Sequence, residues 1–118
     1  MLIEILQGKI HRAVITDCRI DYEGSLTVDL DLIEEIGLVV YQKVQVLDLS
    51  NGARLETYLI PGTRGKREVI INGAAARLMH QGDRVIICGF AFLEPCAVAT
   101  HRPKVVMLDE RNQIVERH

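Results

Sequence analysis

Gly24-Ser25 is the pair in this chain whose order and residue types allow the backbone itself to become a reagent. A seryl hydroxyl can attack the carbonyl just before it, exchanging the amide for an ester. Elimination of that ester leaves dehydroalanine, which hydrolyses to a pyruvoyl group, an electrophile that no genetically encoded side chain supplies. Gly24 suits such a step, because without a Cβ it lets the nucleophile approach and accepts a strained backbone. A Gly-Ser pair is also an ordinary turn element, so the reading depends on what else the chain carries.

Further candidates come in groups. Lys9 and His11, two apart in a strand-like segment, share one face and can form a cationic patch aimed at a carboxylate; the plainer alternative is a solvated strand face. Arg54, Glu56 and Tyr58 also share a strand face, either as a binding surface or as a cross-strand ion pair beside a half-buried tyrosine. Thr57 points to the opposite face of a regular strand, so Thr57 and Tyr58 can touch one ligand only near a bend or a strand end. Asn72 to Ala76 offers a row of unblocked backbone N–H groups suited to an anion, or else small residues that let two elements pack closely. Other chemistries have little support. His11, His80, His101 and His118 lie far apart with no carboxylate at ligand spacing, and Cys18, Cys88 and Cys96 form no C-x-x-C, so neither a metal site nor a disulfide framework is expected. Phosphate-binding glycine loops and a G-x-S-x-G elbow are absent, and the other serine, Ser50, sits at a hairpin mouth where it needs no chemistry.

The scaffold that must hold these groups is small. At 118 residues the chain is expected to be a single domain, 1–118, with no linker, low-complexity tract or solenoid repeat. Isoleucine and valine together number 25, aromatics are 4% and tryptophan is absent, which favours compact β structure filled by branched aliphatic side chains. Met1 to Leu6 and Ile10 to Ile20 read as two strands, and Asp29 to Ile36 as a short helix with Asp29 as its N-cap and Gly37 as its stop. Lys43 to Leu49 and Ala53 to Ile60 form a hairpin turning at Asn51-Gly52. Glu68 to Ile71 reads as a strand, Asn72 to Leu78 as a turn into a short helix, Val85 to Cys88 as an apolar strand, and Lys104 to Val115 as a strand, a polar turn at Asp109 to Gln113 and a final short strand. The expected fold is mainly β, a small closed barrel with two or three short helices. A net charge of −2, from 14 basic and 16 acidic residues, gives no basic excess for a phosphate backbone. No apolar run approaches the ~18 residues of a membrane span, and the N-terminus does not make a signal peptide. No nucleic acid, no membrane and a cytoplasmic location are therefore the expectations.

Taken together, Lys9-x-His11-Arg12, Tyr22-x-Gly24-Ser25, Asn51-Gly52-x-Arg54, Thr57-Tyr58, Pro61-Gly62-x-Arg64-Gly65, Asn72-Gly73-Ala74-Ala75-Ala76, Gly82-Asp83 and His101-Arg102-Pro103 resemble, in order and spacing, the bacterial aspartate 1-decarboxylase family. The resemblance runs from Met1 to about Ile114. It implies a double-psi β-barrel assembled as a homotetramer, made as a proenzyme that cuts itself between Gly24 and Ser25. The products would be a β chain, 1–24, and an α chain, 25–118, whose N-terminus is the pyruvoyl group formed from Ser25. The implied reaction is decarboxylation of L-aspartate to β-alanine, feeding pantothenate and coenzyme A synthesis, with no metal and no pyridoxal phosphate. The pyruvoyl carbonyl condenses with the amine of aspartate, and the resulting imine accepts the electrons released as CO₂ departs. By the same resemblance Lys9, Arg54, Thr57, Gly73, Ala74 and Ala75 bind substrate, Ser25 and Tyr58 are catalytic with Tyr58 returning a proton to the carbanionic carbon, and Gly24, Ser25, Thr57, Asn72, Tyr22 and His11 serve processing. The side chains suit those roles: Arg54 offers a fork of donors to one carboxylate and Lys9 a point charge to a second, while Thr57 and Asn72 can polarise the Gly24 carbonyl. Departures at Thr63, Lys66-Arg67 and Gly89-Phe90 touch none of these positions. An activating or regulatory protein is not identified by the residues.

Two other readings carry their own marks. A dimeric transcription regulator of the related swapped-hairpin type would show a basic DNA face, which the net charge of −2 opposes. A pyruvoyl enzyme for arginine or histidine would present acidic side chains where Lys9 and Arg54 stand. Cutting after Gly24 also raises the question of what retains the N-terminal piece. Burying five of Leu2, Ile3, Ile5, Leu6, Ile10, Val14, Ile15 and Ile20 yields roughly 7 to 15 kcal/mol. Association costs ~4 to 15 kcal/mol, so ladder hydrogen bonds and threading through the barrel are expected to hold the piece in place.

Overall fold

A computed structural model describes residues 1–118. The chain is mainly β. Its strands are β1 (Ile3–Val14), β2 (Asp17–Arg19), β3 (Leu26–Asp29), β4 (Lys43–Asp48), β5 (Arg54–Gly62), β6 (Val69–Asn72), β7 (Arg84–Leu93), β8 (Lys104–Leu108) and β9 (Ile114–Arg117). Two short helices, α1 (Leu30–Glu35) and α2 (Pro95–Val98), and a 3-10 turn at Gly73–Arg77 complete it. The strands form one sheet in the order β2-β6-β3-β5-β4-β7-β1-β8-β9, consistent with a small barrel. β2 and β9 end the order. The chain leaving β1 is tied back to the sheet, Thr16 donating its N–H to Val69 O of β6 at 2.8 Å and Ile15 its N–H to Asp83 O, just before β7, at 2.9 Å.

Alternation places Ile10, Val44, Val46, Leu59, Val85 and Ile87 inward in one cluster of 20 buried residues, with Leu32 and Ile33 of α1 and Ile36 at its C-cap packed among them. α1 begins where the sequence predicts. Asp29 Oδ1 accepts the Asp31 N–H at 2.9 Å, while Oδ2 accepts the Arg67 N–H at 2.7 Å and ties the helix start to the loop before β6.

The N-terminal region departs from expectation, since one twelve-residue strand replaces the two strands 1–6 and 10–20, and β2 follows separately. Gly8 does not break the strand. A Cβ there would lie 2.1 Å from the Ile36 carbonyl oxygen, so glycine is what lets the end of α1 close onto β1. The ladder with β7 absorbs the approach in a register shift between Leu6 and Gly8. β7 also runs beyond the predicted Cys88 to Leu93, and α2 carried no signal strong enough to be read. No helix is long and apolar enough to cross a membrane.

Candidate active site

Ser25 sits at the mouth of β3, and its backbone is strained. Its φ is +88°, a left-handed value that a residue with a Cβ adopts at a cost of ~1–3 kcal/mol, and Gly24 before it has φ +92°. The segment leading in is tightly wound: the Gly24 N–H donates to Tyr22 O at 2.8 Å, closing a three-residue turn over Glu23. Gly73 presses on the same link, because a Cβ on it would stand 2.6 Å from Gly24 Cα. Its own φ of +66° already excludes most side chains.

β6 supplies the polar partner. Asn72 donates its backbone N–H to Ser25 O at 3.1 Å and its Nδ2 to Ser25 Oγ at 3.3 Å. Both residues are buried, at 2% and 5% exposure, so these donors work away from bulk water. Asn72 holds the N-cap position of the 3-10 turn without capping it, its side chain being committed to hydroxyls instead.

A cavity of about 410 Å³ opens beside the seryl link, lined by Gly24, Ser25, Leu55, Glu56, Thr57, Tyr58, Asn72, Ala74, Ala75 and Leu78. Thr57 and Tyr58 both reach it although they alternate along β5. The parallel ladder of β3 with β5 starts at Leu26 against Leu59, so residues 54–58 of β5 run past the mouth of β3 with one strand neighbour, β4. Such an edge shows both faces of a strand to one cavity, which meets the condition the alternation set.

Lys9, His11, Arg54, Tyr22 and Gly73 do not line this cavity, although Gly73 packs against Gly24. Lys9 lies in a cross-sheet row with Cys88, Gln45 and Glu56. Three ladder spacings separate it from Glu56, about 14 Å. Arg54 lies four residues before Tyr58, about 13 Å along an extended strand. Lys9, Arg54 and Tyr58 thus share the outer face of the β1-β7-β4-β5 region, with Tyr58 alone also turned to the cavity. His11 continues that face from Lys9; burial, then Lys9, Arg12 and Arg84, hold its imidazole below the ordinary value, so it is neutral near pH 7. Glu56 pairs with Lys43 at 2.6 Å rather than with Arg54. Thr27 escaped the sequence reading: its Oγ1 accepts the Asn72 Nδ2 hydrogen bond at 3.0 Å. The two-residue period of a strand, which puts residues 25 and 27 on one side, was the available signal.

A strained glycyl-seryl link held against a buried amide donor, opened to a cavity with a phenol in its wall, is the arrangement of an enzyme site on a mainly β scaffold. The comparisons with known proteins agree. The family model described as Aspartate decarboxylase matches residues 1–115. Similar proteins include the Aspartate 1-decarboxylases of Bacillus subtilis (strain 168), 46% identical over 93% of this chain and 87% of the relative, and of Caldicellulosiruptor saccharolyticus, 47% identical over 98% and 91%. That of Sulfurimonas denitrificans is 47% identical over 98% of this chain and 96% of its own length. The chain belongs to the aspartate decarboxylase family of carboxy-lyases.

Proposed function

We propose that this chain is a self-cleaving proenzyme whose mature form uses a pyruvoyl group derived from Ser25 to decarboxylate L-aspartate to β-alanine, in the cytoplasm and toward pantothenate and coenzyme A. The observation that carries the reading is Ser25 itself, buried, at φ +88°, with the Asn72 amide on its hydroxyl and the Tyr58 cavity beside it. Cleavage balances within the chain. Ser25 Oγ bonds to the Gly24 carbonyl carbon as the C–N bond breaks, and the hydroxyl proton ends on the freed nitrogen. Loss of the Ser25 Cα proton then expels Gly24 as a free carboxylate, and water replaces the nitrogen, which leaves as ammonia.

The residues present suit the group, since the Ser25 hydroxyl and the Gly24 link from which it would form lie at the cavity, with the Asn72 amide on Ser25 Oγ. When formed, the pyruvoyl group supplies an electron sink for the pair released as the α-carboxylate leaves. Tyr58 stands at the cavity wall as the acid that returns a proton to the substrate carbon, and Thr57 with Ala74 and Ala75 borders the bound amino acid, Gly73 lying just behind them against Gly24. Lys9 and Arg54 are the cations for a dicarboxylate, but in one chain they lie off this cavity, so their role requires a second copy whose outer face meets it. That face carries exposed Phe90 and Phe92, which supports assembly of copies into the homotetramer that the resemblance implies.

Intact-mass analysis of the purified chain together with an aspartate assay tests the reading. Two species split after Gly24, the larger lacking an N-terminal amine, with β-alanine produced, are expected. A chain that stays full length on warming and still decarboxylates aspartate would sink it.

A further inference from the structure

We infer that Thr27 is a positioning residue for the scission of the Gly24–Ser25 bond, holding the Asn72 carboxamide in line with Ser25 Oγ; the inference rests on the self-cleavage proposed above. The two hydrogens of Asn72 Nδ2 have two acceptors on one side of β3, Thr27 Oγ1 at 3.0 Å and Ser25 Oγ at 3.3 Å. Thr27 is the firmer of the two contacts. It is also the better fixed, because β3 is laddered on both sides, with Thr27 opposite Ile60 of β5 and Ile70 of β6, whereas Ser25 lies beyond the ladder in a wound turn. Asn72 is buried, so water cannot take over a lost partner without rearrangement.

The amide therefore has an anchored end and a working end. As Ser25 loses its proton and attacks the Gly24 carbonyl, negative charge gathers on Oγ, and an N–H already aimed there strengthens as the charge grows. A 3.3 Å contact is long for the resting state and has room to shorten on the way to the ester. Removing the Thr27 acceptor leaves one buried N–H unpaired. The carboxamide is then free to turn about its last torsion in search of a partner, and its alignment with Ser25 is lost.

The test is a time course of cleavage by intact mass, on chains purified cold and uncut and then warmed. Relative to the parent, Thr27→Val, which keeps the branched shape and removes the hydroxyl, should slow cleavage by about 10- to 100-fold, the scale of misplacing one reacting group. Thr27→Ser should restore most of the rate, and Thr27→Ala, which also lacks the hydroxyl but not by the same change of shape, should be as slow as Thr27→Val. The double variant Thr27→Val with Asn72→Ala should be no slower than Asn72→Ala alone, because Thr27 acts through that amide. Thr27→Val and Thr27→Ala cleaving at the parent rate would overturn the inference while leaving self-cleavage standing. So would equal slowing by Thr27→Val in the presence and absence of the Asn72 amide, the mark of a purely structural effect. A parent that never cleaves overturns both readings together.

Discussion

Strain and hydrogen bonding act together on Ser25. Its φ of +88° raises the ground state of the link that must break, and Asn72 Nδ2 favours the charge the hydroxyl must acquire. Tyr58 belongs to a later event. It lines the same cavity but its hydroxyl makes no hydrogen bond to the seryl link, whose Ser25 Oγ is held by Asn72, so Tyr58→Phe should fold and cleave at the parental rate. Turnover of the matured form should nonetheless drop by roughly 10²- to 10⁴-fold, the usual range for one positioned acid. Comparing cleavage by mass with β-alanine production separates the two; poor cleavage alongside normal turnover per mature site would reassign Tyr58 to maturation. Ser25, Tyr58 and Asn72 were legible in the sequence as residue types in a pattern. Thr27 was not, because threonine in a strand is commonplace and its significance arises from a residue 45 positions away.

Between elements, a pair of carboxylates locks the β4–β5 hairpin to the turn before β7. Asp48 is 3% exposed, its Oδ1 takes the Ser50 N–H at 2.7 Å, and its Oδ2 has no donor in the chain. Burial, and then the facing Asp83, push Asp48 above the ordinary carboxylate range, while the bond from Asp48 holds Asp83 below it, helped by the His80 N–H and the His80 ring. Opposite shifts on two facing carboxyls are the pattern expected when two acids share one proton. Stability from neutral Asp48 is present below the ordinary carboxylate pKa and is lost as pH rises through its raised value; stability from ionised Asp83 is present above that pKa and is lost as pH falls through its depressed value. Asp48→Asn makes the donor permanent. It should raise the melting temperature at pH 8 by about 2–6 °C, with the gap closing as pH falls toward the acid range. A thermal melt series in pH checks this, and an unchanged or lower melting temperature at pH 8 would show that Asp48 needs its charge.

Across the whole molecule, the fragment that cleavage would release is a central piece of the sheet. β1 is laddered antiparallel to β7 from Ile3 to Val14 and parallel to β8 from Gly8 to His11, and β8 and β9 reach the rest of the sheet through it. Side-chain burial contributes less than the sequence reading assumed: Ile10 and Ile15 are fully buried, but Leu2, Ile3 and Ile20 are exposed. Retention therefore falls mainly to backbone hydrogen bonds on both edges of β1, the term left undecided by area alone. After cleavage residues 1–24 should co-elute with 25–118 on gel filtration under native conditions and separate in denaturant, which mass analysis of the eluted peak would reveal. The same column, with light scattering, should report four copies; a monomer that turns over aspartate would remove the need for Lys9 and Arg54 to come from a second copy.

What the sequence alone determined were features settled within a few residues: the reactive order of Gly24 and Ser25, the Asp29 cap of α1, the Asn51-Gly52 hairpin and the alternation that makes the fold mainly β. Turn chemistry, capping and strand period are local, so neighbouring residues suffice to reveal them. Tertiary structure alone decided that Gly8 continues β1 under α1, and that the early start of β5 turns Thr57 and Tyr58 to one cavity. It also decided that Lys9 and Arg54 stand apart from Ser25, and that Thr27 and Asp48 acquire the partners they have. Each of those depends on which distant strand lies alongside, at what register, and on the burial that follows, and no short-range pattern encodes that pairing.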